Sequence, residues 1–208
     1  MGKEWLDRWV EGRTGWHEPG GNAGLQSHWT ASGGRVLVPL CGKTPDLAWL
    51  ASRGHEVVGV ELSDIAARGF FEDQGLDYTV STHDGQDRYE GRDAPITIVC
   101  GNYFEFDGEL FDGLYDRGAY VAIDPAMRSE YARHTQSLLK PEATRLIITL
   151  EYDQSIVAGP PFAAWPADIE AHWGLLERVS DKDDIETCPP KCLAAGLQEI
   201  REVVWYSG

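Results

Sequence analysis

Arg35-Val36-Leu37-Val38-Pro39-Leu40-Cys41-Gly42-Lys43 opens the stretch that decides the fold, and Gly54-His55-Glu56-Val57-Val58-Gly59-Val60-Glu61 closes it. The run Val36 to Leu40 is short, rich in β-branched residues and ended by turn residues. It reads as a buried parallel strand that stops at Gly42. The residues that follow predict a helix: Thr44 as N-cap, Pro45 in the first helical position, Leu47, Leu50 and Ala51 on one face, and Gly54 at a left-handed C-cap. A second strand, Glu56 to Val60, then delivers Glu61 to its carboxyl end. An acidic residue about twenty positions beyond a glycine turn is placed to accept hydrogen bonds from the hydroxyls of a ribose.

The turn narrows the choice of nucleoside. A dinucleotide site needs further glycines so that the backbone approaches a pyrophosphate, and Gly42 is followed instead by Lys43, Thr44, Pro45 and Asp46. Gly42-Lys43-Thr44 imitates the end of a P-loop, but Leu37 stands where that motif requires glycine. The expected ligand is an adenosyl group without phosphates, and S-adenosyl-L-methionine is the commonest cofactor of that kind.

At 208 residues the chain fits one domain with a single substantial core. Residues 1 to 34 form an amino-terminal extension, with Trp5, Leu6, Trp9 and Val10 at helical spacing before breaks at Gly12, Gly15 and Pro19 to Gly21. Thirty-four acidic against eighteen basic side chains give a formal charge of −16, which repels phosphate backbones and anionic lipid, so neither nucleic acid nor membrane is expected as a partner. No apolar run approaches the roughly 20 residues of a membrane span, and no signal-peptide core is evident; the expectation is a cytoplasmic monomer. Cys41, Cys100, Cys188 and Cys192 do not make a disulfide framework in such a chain. Cys188-Pro-Pro-Lys-Cys192 has zinc-like spacing without a second ligand pair, so thiols are expected there and no metal.

Beyond Glu61, Ser63 caps a predicted helix running to Gln74 with Gly75 as its stop. Further strands are expected at Ile96 to Cys100, Phe111 to Tyr115, Arg145 to Glu151, Leu175 to Ser180 and Glu199 to Tyr206, with a helix from Arg128 to Leu139. This alternation is that of an open, doubly wound α/β sheet, whose ligands gather outside the carboxyl ends of the strands.

Four segments in order carry a more specific likeness: Trp5-x-x-x-Trp9-Val10-x-Gly12-x-Thr14-Gly15-Trp16-His17-Glu18, Pro39-Leu40-Cys41-Gly42-Lys43, Asp116-Arg117-Gly118-Ala119-Tyr120-Val121-Ala122-Ile123-Asp124-Pro125, and Gly159-Pro160-Pro161-Phe162. Together they closely resemble the thiopurine S-methyltransferase family. The resemblance implies a Rossmann-like class I methyltransferase with a seven-stranded, mostly parallel sheet whose last strand is reversed. It also implies S-adenosyl-L-methionine as donor, S-adenosyl-L-homocysteine as product, and a small soft nucleophile as acceptor, most readily the sulfur of a thiopurine or other thiol. Residue by residue, it implies that Leu40, Gly42, Glu61 and Leu62 hold the cofactor and that Asn102 and Tyr103 border its adenine. It gives Arg117 a contact with the methionine tail and with the acceptor. It makes Trp5, Trp9 and Trp16 the aromatic positions of a flap over the site, with Trp9 and Trp16 against the cofactor and Trp5 and Trp16 against the acceptor. Pro160, Pro161, Phe162 and Lys191 are implied around the acceptor. Trp16 replaces the usual Phe, and Lys191 stands where many members place arginine, a point charge in place of a bidentate fork.

Methyl transfer from a sulfonium is an in-line displacement in which the protein mainly aligns the partners. A cation such as Arg117 or Lys191 favours a thiolate by lowering its pKa. Arg117 and Asp116 are the expected catalytic residues, and the acceptor's proton has three candidate destinations: Asp116, His17 or a water. Plainer readings stand beside these. Trp5 and Trp9 as core, Arg117 paired with Asp116, Asn102 turning the chain and Tyr103 packing inward are all ordinary structural roles. Thiocyanate, halide, selenium and tellurium compounds remain alternative acceptors. A non-catalytic adenosyl-ligand sensor is the alternative of another class.

Overall fold

The protein was analysed as a computed structural model that describes residues 2–83, 85–186, 188 and 190–208, without the side chains of Pro190 and Lys191. The predicted unit is present: β1 (Arg35–Pro39), α3 (Asp46–Ser52), β2 (Glu56–Glu61) and α4 (Asp64–Gln74). They are preceded by α1 (Lys3–Val10) and α2 (Ala23–His28). After them come β3 (Tyr78–His83), β4 (Gln86–Gly91), β5 (Ile96–Cys100), β6 (Phe111–Arg117), α5 (Arg128–Ser137), β7 (Leu139–Glu151), α6 (Pro166–Trp173), β8 (Glu177–Asp183), α7 (Pro190–Ala194) and β9 (Arg201–Ser207).

The strands form one sheet in the order β3-β4-β5-β2-β1-β6-β7-β9-β8. Strands β5, β2, β1, β6 and β7 run parallel, and β9 is antiparallel to both of its neighbours. The expected reversed last strand is therefore present. The crossovers from β1 through β2 to β5 go one way and β6 returns on the other side of β1. That places a topological switch point between β1 and β6, where open α/β sheets bind ligands.

The sheet has nine strands rather than seven because β3 and β4 add an antiparallel hairpin beyond β5. Its residues are mostly exposed and the rest half-buried, so no apolar alternation betrays them; Tyr89 alone is deeply buried. Phe71 of α4 stacks on Tyr78, centroids 4.8 Å apart, and Tyr78 packs at a tilt against Tyr89 at 5.8 Å, which fastens the hairpin to the core.

Helix boundaries follow local chemistry. Ser63 caps α4 by accepting the Ala66 N–H, and Gly75 ends it at φ 63°, the left-handed turn expected there. Helix α3 begins one residue later than Thr44 predicts, because the Thr44 hydroxyl accepts the Asp46 N–H at 3.3 Å and Pro45 occupies the cap position. Helix α2 went unread; Asn22 caps it by accepting the N–H groups of Gly24 and Leu25. Helix α6 also went unread, although Pro166 opens it and the Asp168 carboxylate accepts the Trp165 N–H at 2.7 Å.

Alternate residues of the central strands face two cores. Leu37, Val58, Val60, Leu114 and Ile147 pack with Tyr131 and Trp173 on one face, while Val36, Val38, Val57, Tyr115 and Ile148 pack with Leu47, Leu50 and Phe70 on the other. This double burial explains why the parallel strands read as continuous apolar runs.

Candidate active site

The floor of the cleft is the turn leaving β1. Leu40 has φ 46° and Gly42 φ 56°, both in the left-handed region that a β-branched residue avoids. Three of the turn's N–H groups are spent within the protein: Cys41 donates to the Val60 carbonyl, Gly42 to the Glu61 carboxylate and Thr44 to the Cys41 carbonyl. The Lys43 ammonium is paired with Asp73 at 2.8 Å.

Glu61 ends β2 beside that turn and is 7% exposed. One oxygen accepts the Gly42 N–H and the other the Ser63 N–H, each at 2.8 Å. Burial raises its pKa, against the backbone N–H groups of Ser63, Gly42 and Leu62 that favour the carboxylate. A carboxylate offers about four lone-pair positions, so acceptor capacity remains for ligand hydroxyls. Leu62, next in the chain, is 36% exposed. The nearby Cys41 thiol is buried and held well above the ordinary thiol pKa by burial and by Glu61, so it is chemically quiet.

Asn102 and Tyr103 follow β5 but diverge. The Asn102 carboxamide turns the chain, accepting the Phe104 N–H and donating to Glu105. Tyr103, 4% exposed, points inward, its hydroxyl 2.8 Å from Thr135 Oγ1 and its ring edge-on to His134. The structure thus gives Tyr103 a core role rather than the adenine border expected of it.

The amino-terminal segment roofs the turn. Trp5, Trp9 and Trp16 form one edge-to-face group, with Trp16 centred 5.2 Å from Trp5 and 5.7 Å from Trp9. The Arg8 guanidinium lies 4.9 Å from the Trp5 ring centre. The Trp9 ring sits so near Gly42 that a Cβ there would be 3.3 Å from it. Edge-to-face pairs contribute about 0.5–1.5 kcal/mol each beyond their buried area.

Arg117, at the end of β6, fastens this roof. It donates to the Trp16 carbonyl at 2.6 Å and to the Glu18 carboxylate. It does not pair with Asp116, the simple ion pair that adjacency allows. The other Glu18 oxygen accepts from the Asn22 carboxamide, which also donates to Glu202 of β9 at 3.3 Å. Asp46 locks the base of the segment, accepting the Asn22 N–H at 2.8 Å and the Tyr115 hydroxyl at 2.6 Å. Motif reading singled out none of Asn22, Asp46, Tyr115 or Glu202, because their partners lie on other elements. His17 is pulled below its usual pKa by burial and by Lys43 and Arg117, which makes it a neutral proton acceptor near pH 7.

Asp116 is 0% exposed. Its oxygens accept the Tyr120 N–H at 3.0 Å and the Tyr131 hydroxyl at 2.7 Å, and burial raises it to about 6. It presents no atom to the cleft, so its expected catalytic role gives way to one of holding the loop after β6 against α5.

The segment Gly159 to Phe162 carries cis bonds before Pro160 and Pro161. Phe162 donates its N–H to the Val121 carbonyl at 2.6 Å, and the Tyr152 hydroxyl donates to the Pro161 carbonyl. Arg128, unnoticed in the sequence, donates to the Ala163 and Phe162 carbonyls at 3.0 and 3.1 Å and lies 4.6 Å from the Tyr120 ring centre. It joins α5, the loop after β6 and the proline segment. The Lys191 side chain lies outside the described residues; its helix places Cys192 in a small core with Tyr152, Ala163 and Leu197.

Comparison with known proteins bears on the family and the fold. Chains 40% identical from Bordetella petrii and 39% identical from Pseudomonas putida, both thiopurine S-methyltransferases, align over 97% of this chain and over 95% and 96% of their own lengths. In fold, the chain is similar to Burkholderia thailandensis 1,6-didemethyltoxoflavin-N1-methyltransferase, solved with 1,6-didemethyltoxoflavin and S-adenosylhomocysteine bound (TM-score 0.63, 20% identity, 99% of this chain and 86% of that one). It is also similar to TehB from Haemophilus influenzae (TM-score 0.60, 9% identity, 89% of this chain and 61% of that one). The family profile described as Thiopurine S-methyltransferase matches residues 2–207, from the tryptophan roof to the reversed last strand, and on that extent of agreement the chain belongs to the thiopurine S-methyltransferase family.

Proposed function

We propose that this protein is an S-adenosyl-L-methionine-dependent methyltransferase that methylates the sulfur of a thiopurine or another small thiol. The observation that carries the reading is Glu61, fixed by two backbone N–H groups beside a turn in which the Cys41, Gly42 and Thr44 N–H groups and the Lys43 ammonium are already engaged. A carboxylate held in this way accepts from ribose hydroxyls and repels a phosphate. Glu61 would hold the ribose, Leu62 and Asn102 would flank the adenine, and Leu40, Gly42, Trp9, Trp16 and Arg117 would enclose the remainder. When bound, the cofactor supplies a methyl carbon made electrophilic by its sulfonium sulfur.

The chain's residues supply alignment and dryness. The tryptophan roof excludes water, and the Arg128-braced segment Pro160 to Phe162 gives the acceptor a rigid wall. Of the two side chains considered for the acceptor's proton, Asp116 is sealed, which leaves His17, held below its usual pKa by burial and by Lys43 and Arg117. The acidic surface favours a small-molecule partner over nucleic acid. No helix among the described residues is long and apolar enough to cross a membrane.

Incubation with the cofactor and thiopurine, with product mass as readout, is expected to show addition of one methyl group to sulfur. S-adenosylhomocysteine binding without methylation of any thiol would leave a sensor as the better reading.

A further inference from the structure

Arg117 is the natural contact for a negatively charged acceptor, yet its charge is already engaged. Each terminal nitrogen of the guanidinium already donates one hydrogen bond, one to the Trp16 carbonyl and one to Glu18, whose carboxylate balances its charge. The Glu18 carboxylate is not a loose surface partner. It is held from behind by the Asn22 carboxamide, itself buried and fixed as the cap of α2. The same carboxamide also donates to a second carboxylate, Glu202. Burial and Glu18 raise the Glu202 pKa while Arg117 opposes them, so the three charges feel one another. Lys43 offers no compensation, because Asp73 holds its ammonium. Among the described residues at this end of the cleft, Lys43 and Arg117 are each paired with a carboxylate, and Arg128, which has carbonyl partners instead, is buried behind the proline segment.

We infer that Glu18 is a specificity-determining residue that turns the acceptor end of the cleft against anions, so that the enzyme selects uncharged sulfur compounds over carboxylate-bearing thiols, thiocyanate, halides and oxyanions. The inference rests on the methyltransferase reading above and chooses among its acceptors. An anion approaching Arg117 must displace Glu18 or lie beside it, and a fixed like charge is an effective means of rejecting a wrong partner. Neutral heterocycles meet no such barrier and use the tryptophan roof and the proline segment.

The test is a calorimetric titration of the protein saturated with S-adenosylhomocysteine, using para-mercaptobenzamide and para-mercaptobenzoate, which share a thiol and differ by one negative charge. The wild type is expected to prefer the amide, and Glu18→Gln to shift the affinity ratio toward the carboxylate by roughly tenfold or more. Glu202→Gln, isosteric and on a different element, is expected to shift it the same way and serves if Glu18→Gln misfolds. Glu109→Gln removes an equal charge beside Arg35, at the opposite end of the sheet, and should leave the ratio unchanged. A wild type that prefers the carboxylate, or an affinity ratio unmoved by either cleft substitution, overturns the inference. Failure of S-adenosylhomocysteine itself to bind would instead overturn the methyltransferase reading.

Discussion

The two halves of the cleft are assembled from very different spans of chain. At the end of β2, Glu61 is joined to Gly42, nineteen positions away, inside one strand-helix-strand unit. At the end of β6, Arg117 reaches Glu18 across 99 positions, and Asn22 reaches Glu202 across 180. The first half uses backbone N–H groups and one carboxylate, a solution dictated by local geometry. The second is a chain of side chains from the roof, β6 and β9, held together by contacts between residues far apart in sequence. A local site is fixed once its supersecondary unit forms, whereas a dispersed one exists only when the whole fold is closed, and its specificity changes through single substitutions.

This contrast is sharpened first at Asp116, the buried acid beneath the dispersed half. Its carboxyl is raised to about 6 from 3.8 by burial, so the folded protein holds the proton more tightly than the unfolded chain. That contribution to stability is fully present below about pH 4 and is lost as pH rises through about 6. Asp116→Asn keeps an acceptor for the Tyr120 N–H and removes the titration. Urea unfolding at stepped pH is expected to show a decline on the order of 3 kcal/mol in the wild type that the variant lacks. Equal slopes in both proteins would assign the pH dependence elsewhere.

A smaller effect is expected when the roof's fastening is cut. Arg117→Ala leaves Glu18 and the Trp16 carbonyl without their cation and should lower stability by about 1–3 kcal/mol. Hydrogen exchange should quicken along the amino-terminal segment through Glu18 and stay unchanged in β1 and β2. Faster exchange spread evenly over the sheet would mean that the two halves are not separable.

The same contrast explains what the sequence disclosed. Strands β1, β2 and β5, the cap Ser63, the stop Gly75 and the acid Glu61 were legible because each follows from residues within a few positions or one supersecondary unit. The hairpin β3–β4 was missed since its faces are polar, although Asp84-Gly85 between two strand-like runs is a hairpin signal. Asn22 and the Pro166/Asp168 pair were likewise available as helix-start signals. Tyr103 and Asp116 illustrate the opposite limit. Their positions beside the strand ends suit the cleft, and only the packing of α5 against them shows that their polar atoms turn inward to Thr135 and Tyr131. Nothing local to Glu202 marks it as a partner of the roof.

The central claim is that Glu61 grips the sugar of an adenosyl ligand. The direct measurement is a calorimetric double-mutant cycle, comparing S-adenosylhomocysteine with an analogue lacking its ribose hydroxyls on the wild type and on Glu61→Gln. The account predicts that removing the hydroxyls weakens binding to the wild type by roughly tenfold or more and to Glu61→Gln by far less. The same loss in both proteins would contradict it.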